Sequence, residues 1–429
     1  MYHLLMLTII CVHISMNKIL SKILLLTAFS LGMPSAFVSA SSKVDKDEIT
    51  LNAIGDVQVG DEEELSYAVR SLWPMLQNQP STAINLFLGD LVNNNTDLYP
   101  ELSRLISLLP SKNYAVVGNH DRVPLLSNPT DLDSARIVQT LPFRQAFGPD
   151  YYSFDCQRLH VIVLNNVMAK GKRGYSGAIT PQQLKFVADD LQKVKNNRRV
   201  LIAMHIPLAH TANRDQLLQL LEHRDRVLVF TGHMHQVARY HYSVPGTSVD
   251  ELVAGATCGF WWVGEKDFRG IPSALMQCGT PKGYFQFHFT RGGLDHTYRF
   301  VPTDSRSEIN VWVAGRDTLD RHVAGLDTIA DGRVLITVYG ACDSTRVKVS
   351  VDGGPWFSCT HALYPDPNVA RQRMLYTQHV YPTQYCRRNP LRNVPSKQIW
   401  TFLLPENQRN VSHVIRVKAE DGSGFRADY

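Results

Sequence analysis

The chain has 429 residues, is 44% hydrophobic and 19% charged, and carries a formal net charge of +5. That balance is ordinary for a globular protein and excludes a disordered or collagen-like chain. The length suits two to three domains, and so mild and evenly spread a charge gives no ground for expecting nucleic acid as a partner.

Residues 16–40 read as a secretory signal. Met16-Asn17-Lys18 and Lys22 precede the apolar run Ile23–Leu31, and Val38-Ser39-Ala40 follows. Small residues at the −3 and −1 positions predict cleavage after Ala40. The apolar run is too short for a stable bilayer span, although an uncleaved anchor is the competing reading. Met16 is an alternative start. Residues 1–40 contain Lys18 and Lys22 but no acid, so their removal leaves a net charge of +3. Export would place Cys156, Cys258, Cys278, Cys342, Cys359 and Cys386 in an oxidising compartment. Cys359 with Cys386 is the first pairing to expect. No Cys-x-x-Cys spacing suggests a zinc ribbon.

From Ile49 to about Val301, strand and helix patterns alternate, which implies a layered α/β fold. The apolar, β-branched runs Ile49–Ile54, Ala83–Leu88, Tyr114–Val117, Val200–Ala203 and Val227–Phe230 read as buried strands. Tyr151–Asp155 and Leu159–Leu164 read as two more, joined by a tight turn. Glu62–Leu76 and Leu98–Leu109 carry helical spacing. Thr180-Pro181-Gln182-Gln183 is a capping box that opens a helix running to about Val194. Arg122–Gly148 reads as a long irregular insertion, a common place for function. A polar linker near Pro302–Ser307 precedes short β patterns at Ile309–Val313, Arg333–Val338, Thr345–Val351, Trp400–Leu404 and His413–Val417. The stretch Tyr364–Ser396 has no readable form.

Five short blocks follow the five buried strands: Asp56-Val57-Gln58, Gly89-Asp90, Gly118-Asn119-His120-Asp121, Met204-His205 and Gly232-His233-Met234-His235. In an open α/β sheet the crevice lies at the carboxyl ends of the strands, so five strands would deliver five ligand sets to one edge. Two divalent cations about 3.5–4 Å apart need an anion between them, and Asp90 is the sole carboxylate of its block. Asp56, Gln58 and His235 would complete one metal, and Asn119, His205 and His233 the other. Imidazole with carboxylate suits Mn, Fe or Zn better than Ca or Mg. Such a pair would make hydroxide available at neutral pH. His120 is placed to bind a phosphate or protonate a leaving oxygen, with Asp121 fixing its tautomer.

These blocks, in this order, resemble the signature of the calcineurin-like metallophosphoesterase superfamily: Asp-x-His, Gly-Asp, Gly-Asn-His-Asp, His and Gly-His-x-His. Gln58 departs from it where most members have His, though one branch carries Asp-x-Gln, and Asn93 stands where many have Asp. Phe147-Gly148-Pro149, Tyr151-Tyr152-Ser153-Phe154, Leu164-Asn165-Asn166, Gly259-Phe260-Trp261-Trp262, Gly270-Ile271-Pro272, Gly279–Tyr284 and Val351–Trp356 resemble a bacterial branch with a dedicated C-terminal calcineurin-like phosphoesterase domain. The resemblance implies a four-layer α/β/β/α sandwich over residues 41–303 and a C-terminal β-sandwich-like domain over residues 304–429. It also implies an exported, periplasmic or secreted enzyme that cleaves a phosphomonoester or phosphodiester on a phosphorylated small molecule, lipid or glycan. A metal-binding relative without turnover, or a surface glycan or lipid-phosphate binder, is the alternative. Trp261-Trp262 either form an apolar shelf for a leaving group or pack between the two domains. Arg173 and Tyr175, in a Gly-rich loop, either touch substrate or remain solvated.

Overall fold

A computed structural model of the protein describes residues 48–195, 198–290, 295–304, 307–378, 391–409 and 411–429. The expected signal segment 1–40, and Cys386 of the expected disulfide, lie outside the described residues. Among the described residues, no helix is long and apolar enough to cross a membrane.

In chain order the first strands are β1 (Ile49–Ile54), β2 (Ile84–Phe87), β3 (Lys112–Ala115), β4 (Tyr152–Cys156), β5 (Leu159–Val163), β6 (Val167–Lys170) and β7 (Gly174–Gly177). They are followed by β8 (Arg199–Ala203), β9 (Val227–Thr231), β10 (Val237–Val244), β11 (Thr247–Ala254), β12 (Gly283–Phe289) and β13 (His296–Pro302). One sheet has the order β13-β12-β1-β2-β3 and a second the order β10-β11-β9-β8-β5-β4. The strands β1, β2 and β3 run parallel, as do β5, β8, β9 and β11, while antiparallel strands close the edges.

Why these strands form four layers follows from where their two faces go. Leu51 and Ala53 of β1, and Leu86 of β2, share one core with Val161, Leu201 and Phe230 of the second sheet, which sets the sheets face to face. The opposite face of the first sheet, through Ile54, Phe87 and Ala115, packs on Leu65, Leu72, Leu102 and Ile106 of its helices. The opposite face of the second, through Ile162, Ile202 and Val229, packs on Val187, Leu191 and Leu217. Strands buried on both faces read as continuous apolar runs, and that made them visible in the sequence. A ladder of buried amides adds register across the first sheet: Asn52 Nδ2 donates to Asn85 Oδ1 (2.8 Å), and Asn85 Nδ2 to Asn113 Oδ1 (2.9 Å). A one-residue slip would break every rung.

Several local expectations need correction. The helical pattern Glu62–Leu76 splits into Glu62–Ser71 and Trp73–Gln77, because Pro74 cannot continue the hydrogen-bond ladder. Thr180 caps its helix through Gln183 N (3.2 Å), but the Gln183 side chain bonds the backbone of Asn165 instead of closing the box. The insertion Arg122–Gly148 is not irregular: it holds the helices Leu132–Gln139, capped by Asp131, and Leu141–Phe147, with Pro142 in its first turn. Tyr364–Ser396 contains a helix, Pro367–Thr377, capped by Asp366.

Beyond Pro302 come β14 (Ile309–Val313), β15 (Arg333–Val338), β16 (Arg346–Val351), β17 (Phe357–Ser358), β18 (Thr360–His361), β19 (Tyr364–Pro365), β20 (Pro395–Ser396), β21 (Ile399–Leu403), β22 (Ile415–Glu420) and β23 (Arg426–Asp428). They build two four-stranded sheets, β14-β15-β21-β18 and β17-β16-β22-β23. Ile309, Val334, Val347, Trp400 and Val417 of these sheets belong to the same apolar core as Phe285 and Phe300 of β12 and β13. Arg239 of β10 fastens this junction. It is buried against Asp421 (2.6 Å) and donates to Ser423 Oγ, Thr345 Oγ1 and the Tyr298 hydroxyl. Burial opposes the Asp421 carboxylate, but Arg239 and Ser423 hold its carboxyl below the usual range. The stabilisation is therefore present at neutral pH and lost as pH falls through that lowered value. Breaking one partner of a buried pair costs about 3–5 kcal/mol. Asp421→Ala should lose about that much in urea unfolding, and the joint replacement R239M/D421L much less.

Candidate metal centre

All five blocks leave their strands in one direction. Asp56 and Gln58 follow β1, Asp90 follows β2, Asn119 and His120 follow β3, His205 follows β8, and His233 and His235 follow β9. The loops then bond to each other. Gln58 N donates to Asp90 O (2.8 Å) and Asn94 N to His120 O (3.1 Å), while Val59 bridges Val92. Packing is so close that a Cβ on Gly118 would meet Asp90 Oδ1 at 2.1 Å, and one on Gly232 would meet Asp56 Oδ2 at 2.5 Å. Asp56, Gln58, Asp90, His233 and His235 all have positive φ, between 35° and 72°. Left-handed backbone is uncommon outside glycine, and its concentration in one set of side chains is the pattern of a strained functional site.

The side chains converge accordingly. Atoms of Asp90, His205 and His233 lie within 4.8 Å of one another. His205 Nε2 sits 3.1 Å from Asn119 Oδ1 and 3.3 Å from Asp90 Oδ2. On the other side, His235 Nε2 is 3.8 Å from Asp56 Oδ1. His205 Nδ1 donates to Leu88 O (2.8 Å) and His235 Nδ1 to Gly259 O (2.8 Å). At His235 this bond sets the tautomer and turns the Nε2 lone pair inward, as a metal-ligating histidine requires, while at His205 it aims Nε2 at Asp90, where its proton is one that a cation would displace.

Electrostatics points the same way. Burial pushes the carboxyl of Asp56 well above its usual range, with Asp90 adding to the rise. Burial also drives His233 down to about 3 and His235 down to about 4, the neighbouring His205 adding to both. Only at Asp90 and His205 is the desolvation overcome: their mutual attraction holds Asp90 at about 2 and His205 at about 9. Two buried carboxylates and three imidazoles, of which only Asp90 and His205 form an anion–cation pair, thus share a space with little countercharge. The amide of Gln58 offers a further sign: its Nε2 is buried without a partner, while Oε1 lies 3.7 Å from Cys258 Sγ. The Asp90, His205 and His233 donors suit a divalent cation, with Asn119 beside His205 and the Asp56–His235 contact close by.

His120 and Asp121 are placed differently from expectation. The His120 backbone N donates to Asp90 Oδ1 (2.7 Å), and its ring Nδ1 is buried without a partner. Asp121 does not orient that ring. Its Oδ1 accepts from Leu91 N, Val92 N and the Tyr99 hydroxyl, and its Oδ2 from Gly118 N. Asp121 therefore braces the turn that carries Asn119 and His120. Its carboxyl, raised by burial to about 7, makes no bond to His120.

The two tryptophans part company. Trp262 is a core residue, 3% exposed, with Nε1 on Val57 O (3.0 Å) and its ring against Tyr67. It neither lines a rim nor packs between the two groups of sheets. Trp261 stays exposed, with its ring 5.2 Å from that of His235. Arg173 is exposed at the β6–β7 turn. Tyr175, two residues on, approaches the centre, with its ring 5.7 Å from His233.

Sequence reasoning missed Arg122. It is only 7% exposed, donates Nη1 to Gln139 Oε1 (2.8 Å), lies over the Tyr175 ring (5.6 Å) and leaves Nε buried without a partner. Burial lowers it to about 10, against the pull of Asp90. A buried guanidinium with an unused donor beside this centre suits an oxyanion. Its only sequence signal was its position, directly after His120 and Asp121.

Residues 49–237 match the family model described as calcineurin-like phosphoesterase, and residues 251–426 match that of the C terminal of calcineurin-like phosphoesterase. The chain belongs to the calcineurin-like phosphoesterase family. Divalent-metal dependence belongs to that family, and the Asp90–His205–His233 group is the candidate place for it in this chain. No curated protein matches the sequence. Among solved structures it is similar to the purple acid phosphatase PPD1 from yellow lupin (Lupinus luteus) seeds. Identity there is 14%, covering 59% of this chain and 51% of that one, with a TM-score of 0.39. It is also similar to the sulfate thiohydrolase SoxB of Termus thermophilus in complex with glycerol, at 15% identity over 58% of this chain and 43% of that one, with a TM-score of 0.33. The chain spans about half the length of these structures or less.

A hydrogen bond to a charged group is worth about 1.5–3 kcal/mol. Arg122→Met should therefore weaken competitive inhibition by inorganic phosphate on the order of 10–100-fold while leaving the metal content unchanged. An unaltered inhibition constant would place Arg122 outside the anion site.

Proposed function

We propose that this phosphoesterase is exported and cleaves a phosphomonoester or phosphodiester at a centre of two divalent cations, Mn, Fe or Zn. The observation that supports this most is the convergence of five sheet-end loops, three of them with their candidate ligands in left-handed backbone, on Asp56, Asp90, Asn119, His205, His233 and His235. When bound, the cations would supply Lewis-acid charge and a nucleophile from water at neutral pH. The chain's own residues do the rest. Arg122 holds a non-bridging phosphoryl oxygen through its free Nε, and Tyr175 covers the guanidinium. His120, whose protonation burial disfavours, is recharged by the arriving phosphoryl anion and hands a proton to the leaving oxygen. Trp261 offers an apolar face to the leaving group beside His235. The substrate would be a phosphorylated small molecule, lipid or glycan met outside the cytoplasm, in the periplasm or beyond, after removal of residues 1–40. Gln58, a weaker ligand than imidazole, favours the second reading of a metal-binding relative without turnover.

Hydrolysis of bis-p-nitrophenyl phosphate and p-nitrophenyl phosphate, each with Mn²⁺, Zn²⁺ or chelator, separates these readings. Turnover is expected only with metal. Asp90→Asn and His205→Ala should reduce it by more than the roughly 10–100-fold typical of outer-shell changes, with circular dichroism unchanged. Turnover that survives both substitutions would sink the assignment, and a folded, metal-loaded protein inactive on both esters would favour the non-catalytic relative.

His120→Ala should slow a diester with a poor leaving group far more than a p-nitrophenyl ester, because only the former needs a proton at departure. Equal losses on both would remove the acid role.

A further inference from the structure

The sheet β17-β16-β22-β23 has one face inside the protein and one in solvent. Val347, Val349, Val417, Ala419 and Ala427 are buried, and strand alternation sends their neighbours outward. The outward set is Arg346, Lys348, Arg416, Lys418, Glu420, Arg426 and Asp428: five cations against two anions.

Register makes this face stranger than its count. Lys348 of β16 stands directly opposite Lys418 of β22, a like-charge pair that costs the ladder stability, and only on its far side does Lys418 meet an anion, Asp428 of β23. Among the described residues, Lys348, Arg416, Lys418 and Arg426 form no ion pair; the nearest one on this face is a 4.0 Å contact between Arg346 and Glu420. Trp356 lies half out in solvent, with Lys418 Nζ 5.1 Å from its ring. Between these side chains runs a groove of about 530 Å³, within the size range of small-ligand sites.

We propose that this groove binds an anionic polysaccharide built of carboxylate-bearing sugars. The paired lysines and Arg426 take the acid groups, and Trp356 stacks against the apolar face of a sugar ring. Glu420 and Asp428, in the same groove, accept hydrogen bonds from sugar hydroxyls. Those two carboxylates argue against nucleic acid, whose backbone brings a phosphate at every residue and few donors to meet them. The site lies apart from the metal-binding loops and does not depend on the hydrolytic reading. It would hold the enzyme on an acidic glycan coat.

The test is titration of the full mature chain with polygalacturonate, with neutral dextran and single-stranded DNA alongside. Polygalacturonate is expected to bind with an affinity that falls as salt rises. The double variant K348E/K418E should weaken it at least tenfold, and Trp356→Ala should weaken it at constant charge. Both leave the core untouched, and unchanged thermal unfolding would check that. Absence of polygalacturonate binding, binding indifferent to the variants, or equal binding to DNA would each overturn the proposal.

Discussion

The Asp90–His205 contact is the constraint around which the rest is arranged. Both groups are fully buried, and each holds the other ionised against desolvation. Charges so placed are tolerable only with compensation from fixed donors, a partner of opposite sign or a metal. The chain supplies the first through backbone: His120 N on Asp90, and His233 N on both oxygens of Asp56. It supplies the second through His205. What remains uncompensated, chiefly Asp56 with His235 and His233 uncharged beside it, is the binding energy available to cations.

The same constraint explains the backbone. Backbone donors reach these buried carboxylates where the loops fold back sharply, and five of the seven candidate ligands, all but Asn119 and His205, adopt positive φ. The glycines of the motifs are answers to closeness more than to flexibility, since Gly118 and Gly232 leave no room for a Cβ between ligand loops. Asp121 completes this economy: its four hydrogen bonds hold the turn that presents Asn119 and His120. A residue adjacent to a reacting group in sequence need not touch it in space.

That distinction separates what the amino-acid order revealed from what it hid. The buried parallel strands were legible because a strand covered on both faces must be apolar throughout, and β1, β14 and β15 begin and end where the pattern placed them. Five of the seven candidate ligands, all but Gln58 and Asn119, draw on charged or imidazole groups rarely left at strand ends without use. Arg122 and Cys258 were not legible as partners of the site. Cys258 lies 200 positions from Gln58, and no periodicity in either segment carries that contact. The helices of Arg122–Gly148 were hidden for another reason: Ile137, Val138 and Leu141 stay exposed, so the apolar spacing expected of a buried helix face never forms. Trp262 looked like surface because its Gly-rich surroundings suggested a rim, whereas it fills the space over Val57.

The C-terminal sheets extend this logic from the site to the whole. Their core is continuous with that of β12 and β13, and Arg239 of β10 reaches Thr345, Asp421 and Ser423 across the junction. A tether on a loose linker would need no such fastening; a buried arginine with four hydroxyl or carboxylate partners is expensive to hold and specific in geometry. It also extends β10, and so β11 and β9, as one rigid sheet up to the loop that carries His233 and His235. The second pair of sheets acts as a splint for the first, and its charged outer face is left free for other chemistry.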